Sequence, residues 1–319
     1  MLTSKKPTSQ FITSTDGLKL HVATLGDPAN TPIVLVHGYP DNHQVWLPVA
    51  ELLAYQFFVI AYDVRGAGRS ESGRQVSDYS LDQLSQDLMS VVDAVIPGRR
   101  FHLVGHDWGS IQSWESVTTE RLRERIASYT TISGPALDHA AHWMRTRLSP
   151  ASSLPLSERL KAVKQFGSSW YVVMFQLPVL APTLWQAGLG KLWPKYLKHR
   201  EGVVENTPNP TQIEDGKEGV QLYRANFLPK LANPEQRYAS CPVQLIVPRF
   251  DNYASHNLYS DLSQWVPELY RRDIDATHWV VLSHHALIAQ WITEFVSACE
   301  LGEQDSLFAH LRANPSEAA

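Results

Sequence analysis

Residues 101–109 read Phe101-His102-Leu103-Val104-Gly105-His106-Asp107-Trp108-Gly109. The first four, apolar apart from His102, read as a short strand. Two glycines then bracket His106, Asp107 and Trp108, and a helical pattern opens from Ile111. Strand, tight turn and helix in that order have the shape of a nucleophile elbow, with aspartate in place of serine. The glycines let strand and helix approach closely. The turn pushes the Asp107 side chain outward, and the helix start behind it supplies backbone N–H groups for an anion. The competing reading is an aspartate that only caps the helix. The preceding strand weighs against it.

The same rhythm extends to both sides. Residues 11–14 and 18–25 read as strands around an Asp16-Gly17 turn. Residues 33–36 and 57–61 are continuous apolar runs, as expected of strands buried on both faces. Ser80 and Gln83, spaced as a capping box, open a helix whose Leu81, Leu84, Leu88, Val91, Val92 and Val95 share one face. Ile126–Ile132 reads as another strand. Residues 135–235 are rich in Trp, Pro and Leu, hold no clean strand, and read as helices and loops. Alternation returns with a strand at 243–247, a helix near 257–265, a strand at Leu269–Ile274 and a final helix. That helix sets Ile288, Trp291, Ile292, Phe295 and Val296 on one face. The tail after Gly302 is polar and expected to be loose. The expected fold is α/β: a mostly parallel sheet with helices on both faces. Its core comprises residues 1–134 and 236–319, interrupted by a helical cap at 135–235. Ligands of such sheets bind at the carboxyl ends of the strands.

Composition narrows the function. The 319 residues suit one large domain with an insertion. Net charge is -4 with mixed signs, so no basic stripe points to nucleic acid or an anionic membrane. Ten Trp, twelve Tyr and ten Phe can line an apolar pocket, and Trp46, Trp143, Trp170 and Trp185 are candidates, with core packing as the alternative. Cys241 and Cys299 are too few for a disulfide scaffold. The N-terminal residues show no apolar leader. The apolar stretch 170–185 is broken by Gln176, Pro178 and Pro182, so no membrane span is expected. The expectation is a soluble, cytoplasmic protein. No His, Cys and carboxylate cluster has metal spacing, so neither metal nor cofactor is expected. A homo-oligomer is allowed but not readable.

His37-Gly38-Tyr39-Pro40, then DVRGAGRS at 63–70 and GHDWGS at 105–110, follow three successive strands. Together they resemble the epoxide hydrolase branch of the α/β-hydrolase superfamily, over residues 11–298. The resemblance implies that Asp107 is the nucleophile. It implies a triad acid at Asp251, in PRFDNY, and a base at His278, in ATHW. Asp138 is the rival acid, and His284 and His285 are rival bases. Pro248 and Thr277 stand where similar enzymes often carry glycine. Backbone N–H groups of Tyr39 and Trp108 are the implied oxyanion donors. Tyr171, four residues before Phe175-Gln176, and Tyr223, in Leu222-Tyr223-Arg224, match the two ring-opening tyrosines. The chain also resembles the N-terminal half of larger bacterial proteins that join this fold to a short-chain dehydrogenase. It has no glycine-rich dinucleotide fingerprint, so no second activity is expected.

An aspartate side chain is ionised at neutral pH and can displace a leaving group from saturated carbon. The implied reaction converts an epoxide to a vicinal diol through an alkyl ester on Asp107, hydrolysed by water that His278 activates. The expected partners are a small lipophilic epoxide and water. A haloalkane dehalogenase would use the same nucleophile, and the Trp108 N–H suits a halide. Tyr39, however, stands where typical dehalogenases carry asparagine. A catalytically silent binding protein is the third reading, disfavoured because Asp107, Asp251 and His278 are all present. Asp63 and Arg65 are read as loop-holding charges, and His106 as pointing away from the pocket.

Overall fold

The computed structural model describes residues 7–204 and 208–313. Eight strands form one sheet: β1 (Thr8–Thr13), β2 (Lys19–Leu25), β3 (Pro32–Val36), β4 (Phe58–Tyr62), β5 (Phe101–His106), β6 (Ile126–Ile132), β7 (Val243–Pro248) and β8 (Leu269–Ile274). Their order is β1-β2-β4-β3-β5-β6-β7-β8. β2 runs antiparallel to β1 and β4, and the remaining neighbours are parallel. Every residue of β3 to β7 is buried. Strands covered on both faces need apolar residues at every position, which is why they read as runs and not as alternations. β6 is the polar exception, and its groups find partners. Tyr129 donates to the Ser110 carbonyl at 2.8 Å, and Ser128 meets His102 at 2.7 Å.

The helices α1 (Leu47–Leu53), α2 (Leu81–Val95) and α3 (Trp108–Thr118) lie in the first part of the chain. Between β6 and β7 come α4 (Leu137–Leu148), α5 (Leu156–Ser168), α6 (Trp170–Phe175), α7 (Leu180–Leu184), α8 (Gly190–Arg200), α9 (Gln212–Glu218) and α10 (Val220–Ala232). No strand interrupts them among the described residues. After β8 follow α11 (Val280–Ser283), α12 (His285–Leu301) and α13 (Gln304–Leu307).

Four local expectations differ from the structure. α3 starts at Trp108, directly after the aspartate and ahead of the apolar pattern. The helix expected near 257–265 is only two short 3-10 turns, His256–Tyr259 and Leu262–Gln264. There Ser255 caps the first turn and Ser260 bonds back to the Asn257 carbonyl, local bonds that compete with an α-helix. Ser80 caps α2 through the Gln83 amide, but the Gln83 side chain turns to Thr15 and Asp87, so the capping box closes on one side only. The chain after Gly302 is docked as far as it is described: Phe308 is buried with Tyr270 and Phe295, and Arg312 bridges to Tyr270. Residues 314–319 lie outside the described residues.

The sheet reverses its winding between β3 and β5, where such folds open a crevice. Asp107 sits there with φ 54°, a left-handed conformation rare for a residue with a side chain. Its amide donates to the Ile132 carbonyl at 3.0 Å, and its carbonyl accepts from the Ile111 amide at 3.0 Å. A Cβ at Gly109 would stand 2.0 Å from the Val36 carbonyl oxygen, so only glycine lets α3 pass β3 this closely. Gly167, in α5, has open space around its Cβ position. Gly109→Ala should therefore cost at least about 3 kcal/mol in denaturant unfolding. Gly167→Ala should be neutral or stabilising by up to about 1 kcal/mol. Equal stability of the two variants would contradict the packing described.

Candidate active site

Asp107 is presented at the crevice by its strained backbone. The Tyr39 amide, in the loop after β3, donates to Asp107 Oδ1 at 2.7 Å. Gly38 makes this approach possible, since a Cβ there would lie 2.3 Å from the same oxygen. The Trp108 N–H is the first amide of α3, one of the groups a helix leaves without an internal partner. Of the two backbone donors expected from the sequence, Tyr39 bonds the carboxylate, and Trp108 is its immediate neighbour in the chain.

His278, in the loop after β8, brings Nε2 to 3.3 Å from Asp107 Oδ2. Its Nδ1 donates to Asp251 Oδ2 at 2.9 Å. Asp251, after β7, accepts on Oδ1 from the amides of Tyr253 and Ala254 at 2.8 and 3.0 Å. Burial alone would drive the imidazole toward neutrality. Asp251 and Asp107 on its two sides outweigh burial and hold its pKa well above the usual histidine range. Burial likewise opposes the Asp251 charge, yet His278 and the two amides hold its pKa below the ordinary carboxylate value. The three side chains form a line of alternating charge.

Both rival assignments lie elsewhere. Asp138 binds Lys230 at 3.2 Å and the Glu235 amide at 2.8 Å, within the helical insertion. His284 bonds to Ser283, and His285 to the Leu282 carbonyl. Thr277, in place of glycine, donates to the Glu201 carbonyl at 2.9 Å.

A cavity of about 880 Å³ opens over Asp107 and Trp108. Tyr171 of α6 and Tyr223 of α10 both line it, with ring centroids 6.1 Å apart. Burial first, and the Asp107 charge second, push both phenols above the usual tyrosine range, so both stay protonated. Of the four tryptophans expected at the pocket, Trp170 lines it and the other three do not. Trp46 is fully buried against His106, Trp143 donates to Ser260 at 2.9 Å, and Trp185 donates to the Tyr39 hydroxyl at 2.7 Å. The core packing alternative holds for them.

Tyr253, Glu201 and Asp41 escaped the sequence reading, and His106 was read only for its direction. Tyr253 lines the cavity, with its ring centroid 4.9 Å from that of His278. Glu201, at the end of α8, accepts from the His278 amide at 3.1 Å. His106 is turned away from the cavity and donates from Nε2 to the His278 carbonyl at 2.9 Å. Burial, then the His278 charge, pull its pKa down to about 4, so it is a neutral prop. Asp41 accepts from Trp279 at 2.8 Å, and burial pushes its pKa up to about 7. The only signal for any of these was adjacency to a motif.

Asp63 and Arg65 hold loops, as expected. Arg65 pairs with Asp87 and Asp16 at 2.6 and 2.9 Å. His21 and His43 donate to opposite oxygens of Asp63 at 2.8 and 2.7 Å. These three residues bring ligand-type atoms within 4.8 Å of one another, a cluster that no sequence spacing signalled because three separate segments build it. Both Asp63 oxygens also receive amides, from His43 and Arg69. Hydrogen bonds account for the cluster without an ion.

Comparison with known proteins bears on this geometry. Residues 31–285 match the alpha/beta hydrolase fold family. A Mycobacterium tuberculosis protein named "Probable oxidoreductase EphD" is 33% identical over 93% of this chain and 51% of its own length. The chain thus spans about half of that relative. Epoxide hydrolase 3 of Xenopus tropicalis is 24% identical over 88% of this chain and 75% of its own. Among solved structures, a Bacillus megaterium epoxide hydrolase mutant with its diol product superposes with TM-score 0.74 at 20% identity, covering 90% of this chain and all of that one. That likeness concerns the fold. With the mostly parallel eight-stranded sheet and the turn at Asp107, these matches establish that the chain belongs to the alpha/beta hydrolase fold family.

Proposed function

We propose that the protein hydrolyses lipophilic epoxides to vicinal diols. The observation that carries this reading is one apolar cavity with a carboxylate on its core side and two protonated phenols on its insertion side. Residues 135–235 then serve as a cap that completes the site. The relatives named as epoxide hydrolases favour the same chemistry. The oxidoreductase name belongs to a protein about twice as long as the segment matched.

Asp107 attacks one epoxide carbon, a C–O bond forms, and the ring C–O bond breaks with its electrons leaving on oxygen. Tyr171 or Tyr223 gives its proton to that oxygen. The product is a hydroxyalkyl ester on Asp107. Esterification removes one of the two negative charges that hold the His278 proton. The imidazole pKa falls, and its proton restores the phenol. Neutral His278 then takes a proton from water, which attacks the ester carbonyl. The oxyanion meets the N–H groups of Tyr39 and Trp108. Collapse returns the proton to the departing diol oxygen. The regenerated Asp107 carboxyl passes its own proton to His278, restoring the charged line. Asp251 steadies the imidazolium throughout.

One observation favours a halide instead: Trp108 Nε1 is buried without a hydrogen-bond partner. An alkyl halide needs no proton donor, so the paired tyrosines count against it. His278→Gln should alkylate but not hydrolyse. Intact-protein mass spectrometry with a panel of epoxides should show a persistent adduct on Asp107. An adduct formed only from haloalkanes would move the assignment to dehalogenation, and none from either panel would favour a binding role. Tyr171→Phe and Tyr223→Phe together should lower turnover by at least about 100-fold. Near-normal turnover would remove the tyrosines from the mechanism. Asp107→Asn should make His278 release its proton at lower pH than the parent enzyme, read by imidazole NMR; an unchanged titration would refute the charge coupling.

A further inference from the structure

The outer face of the helical insertion is unusually apolar for a surface. Phe166, Trp170 and Val173 line the cavity and yet are 66%, 65% and 65% exposed, which places them at its mouth. Leu148 and Leu228 also line it and are exposed. Along α5, Leu156, Leu160 and Val163 are exposed at helical spacing, leading toward Phe166. Beyond α6, Leu177, Val179 and Leu180 are exposed as well. Large apolar patches on proteins mark interaction surfaces.

The charges of the segment that carries this patch differ from those of the rest of the chain. Residues 156–200 hold seven Lys or Arg and a single acid, Glu158, a local charge of +6 in a chain of net -4. Lys161 and Lys164 on α5, and Lys191, Lys195 and Lys198 on α8, are exposed. The mixed signs of the full sequence hide this concentration. Among the described residues no single helix is long and apolar enough to cross a membrane. Residues 156–175 and 180–200 meet at 86°, and together they match the apolar composition of a span. Bent, basic and rich in exposed apolar residues, such a pair suits the plane of a bilayer interface and not its interior.

We infer that the helical insertion docks on an anionic lipid bilayer surface, with the cavity mouth facing the membrane. Exposed leucine, phenylalanine and tryptophan enter the headgroup boundary, while the lysines meet lipid phosphates. An apolar substrate dissolved in the bilayer then reaches the cavity without crossing water. This last consequence rests on the proposed epoxide activity; the docking itself does not.

Vesicle flotation with the full chain tests the inference without turnover. Binding is expected to vesicles of phosphatidylcholine mixed with phosphatidylglycerol, and to weaken as salt rises. Lys191→Glu with Lys195→Glu should weaken it by about tenfold or more. Leu160→Asp with Val163→Asp should abolish it. Both pairs lie outside the cavity wall and should leave turnover of a small water-soluble epoxide unchanged, which also shows that the variants are folded. Failure of that turnover in the parent protein would defeat the epoxide reading and leave the docking result standing. Absence of binding, equal binding to pure phosphatidylcholine, or full binding by both variants would overturn the inference. So would a self-association in sedimentation that the aspartate pair abolishes, with no vesicle binding, because the patch would then cover a second copy.

Discussion

At Gly109 the first turn of α3 passes the carbonyl of Val36 with no room for a side-chain carbon between them. The arrangement of the crevice depends on this contact. It sets the angle at which β5 turns into α3 and holds Asp107 in its left-handed conformation. It also brings the ends of β3 and β5 close enough for the Tyr39 amide to reach the Asp107 carboxylate. The cost of the strained backbone, about 1–3 kcal/mol, is met by the bonds around the turn. Ser110 alone accepts from the Ile132 amide and donates to the Gly105 carbonyl, stitching the helix to two strands.

Electrostatics then organises what packing has brought together. Buried charges are tolerated where each meets an opposite charge or several N–H groups. Asp63 is held by two imidazoles and two amides, and Arg65 by two aspartates, so the loops bordering the crevice are fixed by satisfied charge. His278, too, has two carboxylates for one positive charge, but one of them, Asp107, lines the cavity. That excess makes its proton affinity depend on the state of Asp107. The same pair that stabilises the imidazolium can release its proton once one carboxylate is masked.

Much of this was legible because the decisive patterns are local. The apolar runs mark β3, β4 and β7 since these strands are covered on both faces, and the glycines around Asp107 mark the turn since close approach admits nothing larger. Asp251, His278, Tyr171 and Tyr223 were reachable through resemblance at sequence spacing; Tyr171 and Tyr223 line the cavity with Asp107, and His278 bonds Asp251 and approaches Asp107. What escaped has a common cause. Glu201, Tyr253 and Asp41 act through contacts between segments distant in the chain, and adjacency to a motif does not say which neighbour will make such a contact. The choice between pocket and core stayed open for Trp46, Trp143 and Trp185 for the same reason: an indole's composition signal is identical in both, and only its neighbours decide. The absent helix near 257–265 shows short polar side chains overriding an apolar pattern. The basic face of the insertion was concealed by averaging charge over the whole chain.

Glu201 joins the end of the insertion to the backbone of His278, and Thr277 joins back to Glu201. The two bonds form a clasp between parts of the chain separated by some seventy residues. A rigid swing of all the insertion helices would pull on the loop that carries the imidazole. Motion of α5 would reach the line from its other end, because Gln165 bonds the Tyr253 carbonyl and the Ser255 amide, beside the amides that hold Asp251. The insertion is therefore tied to the charged line at both ends: the end of α8 holds the loop of the base and α5 holds the loop of the acid, so a shift of either helix is felt beneath the cavity.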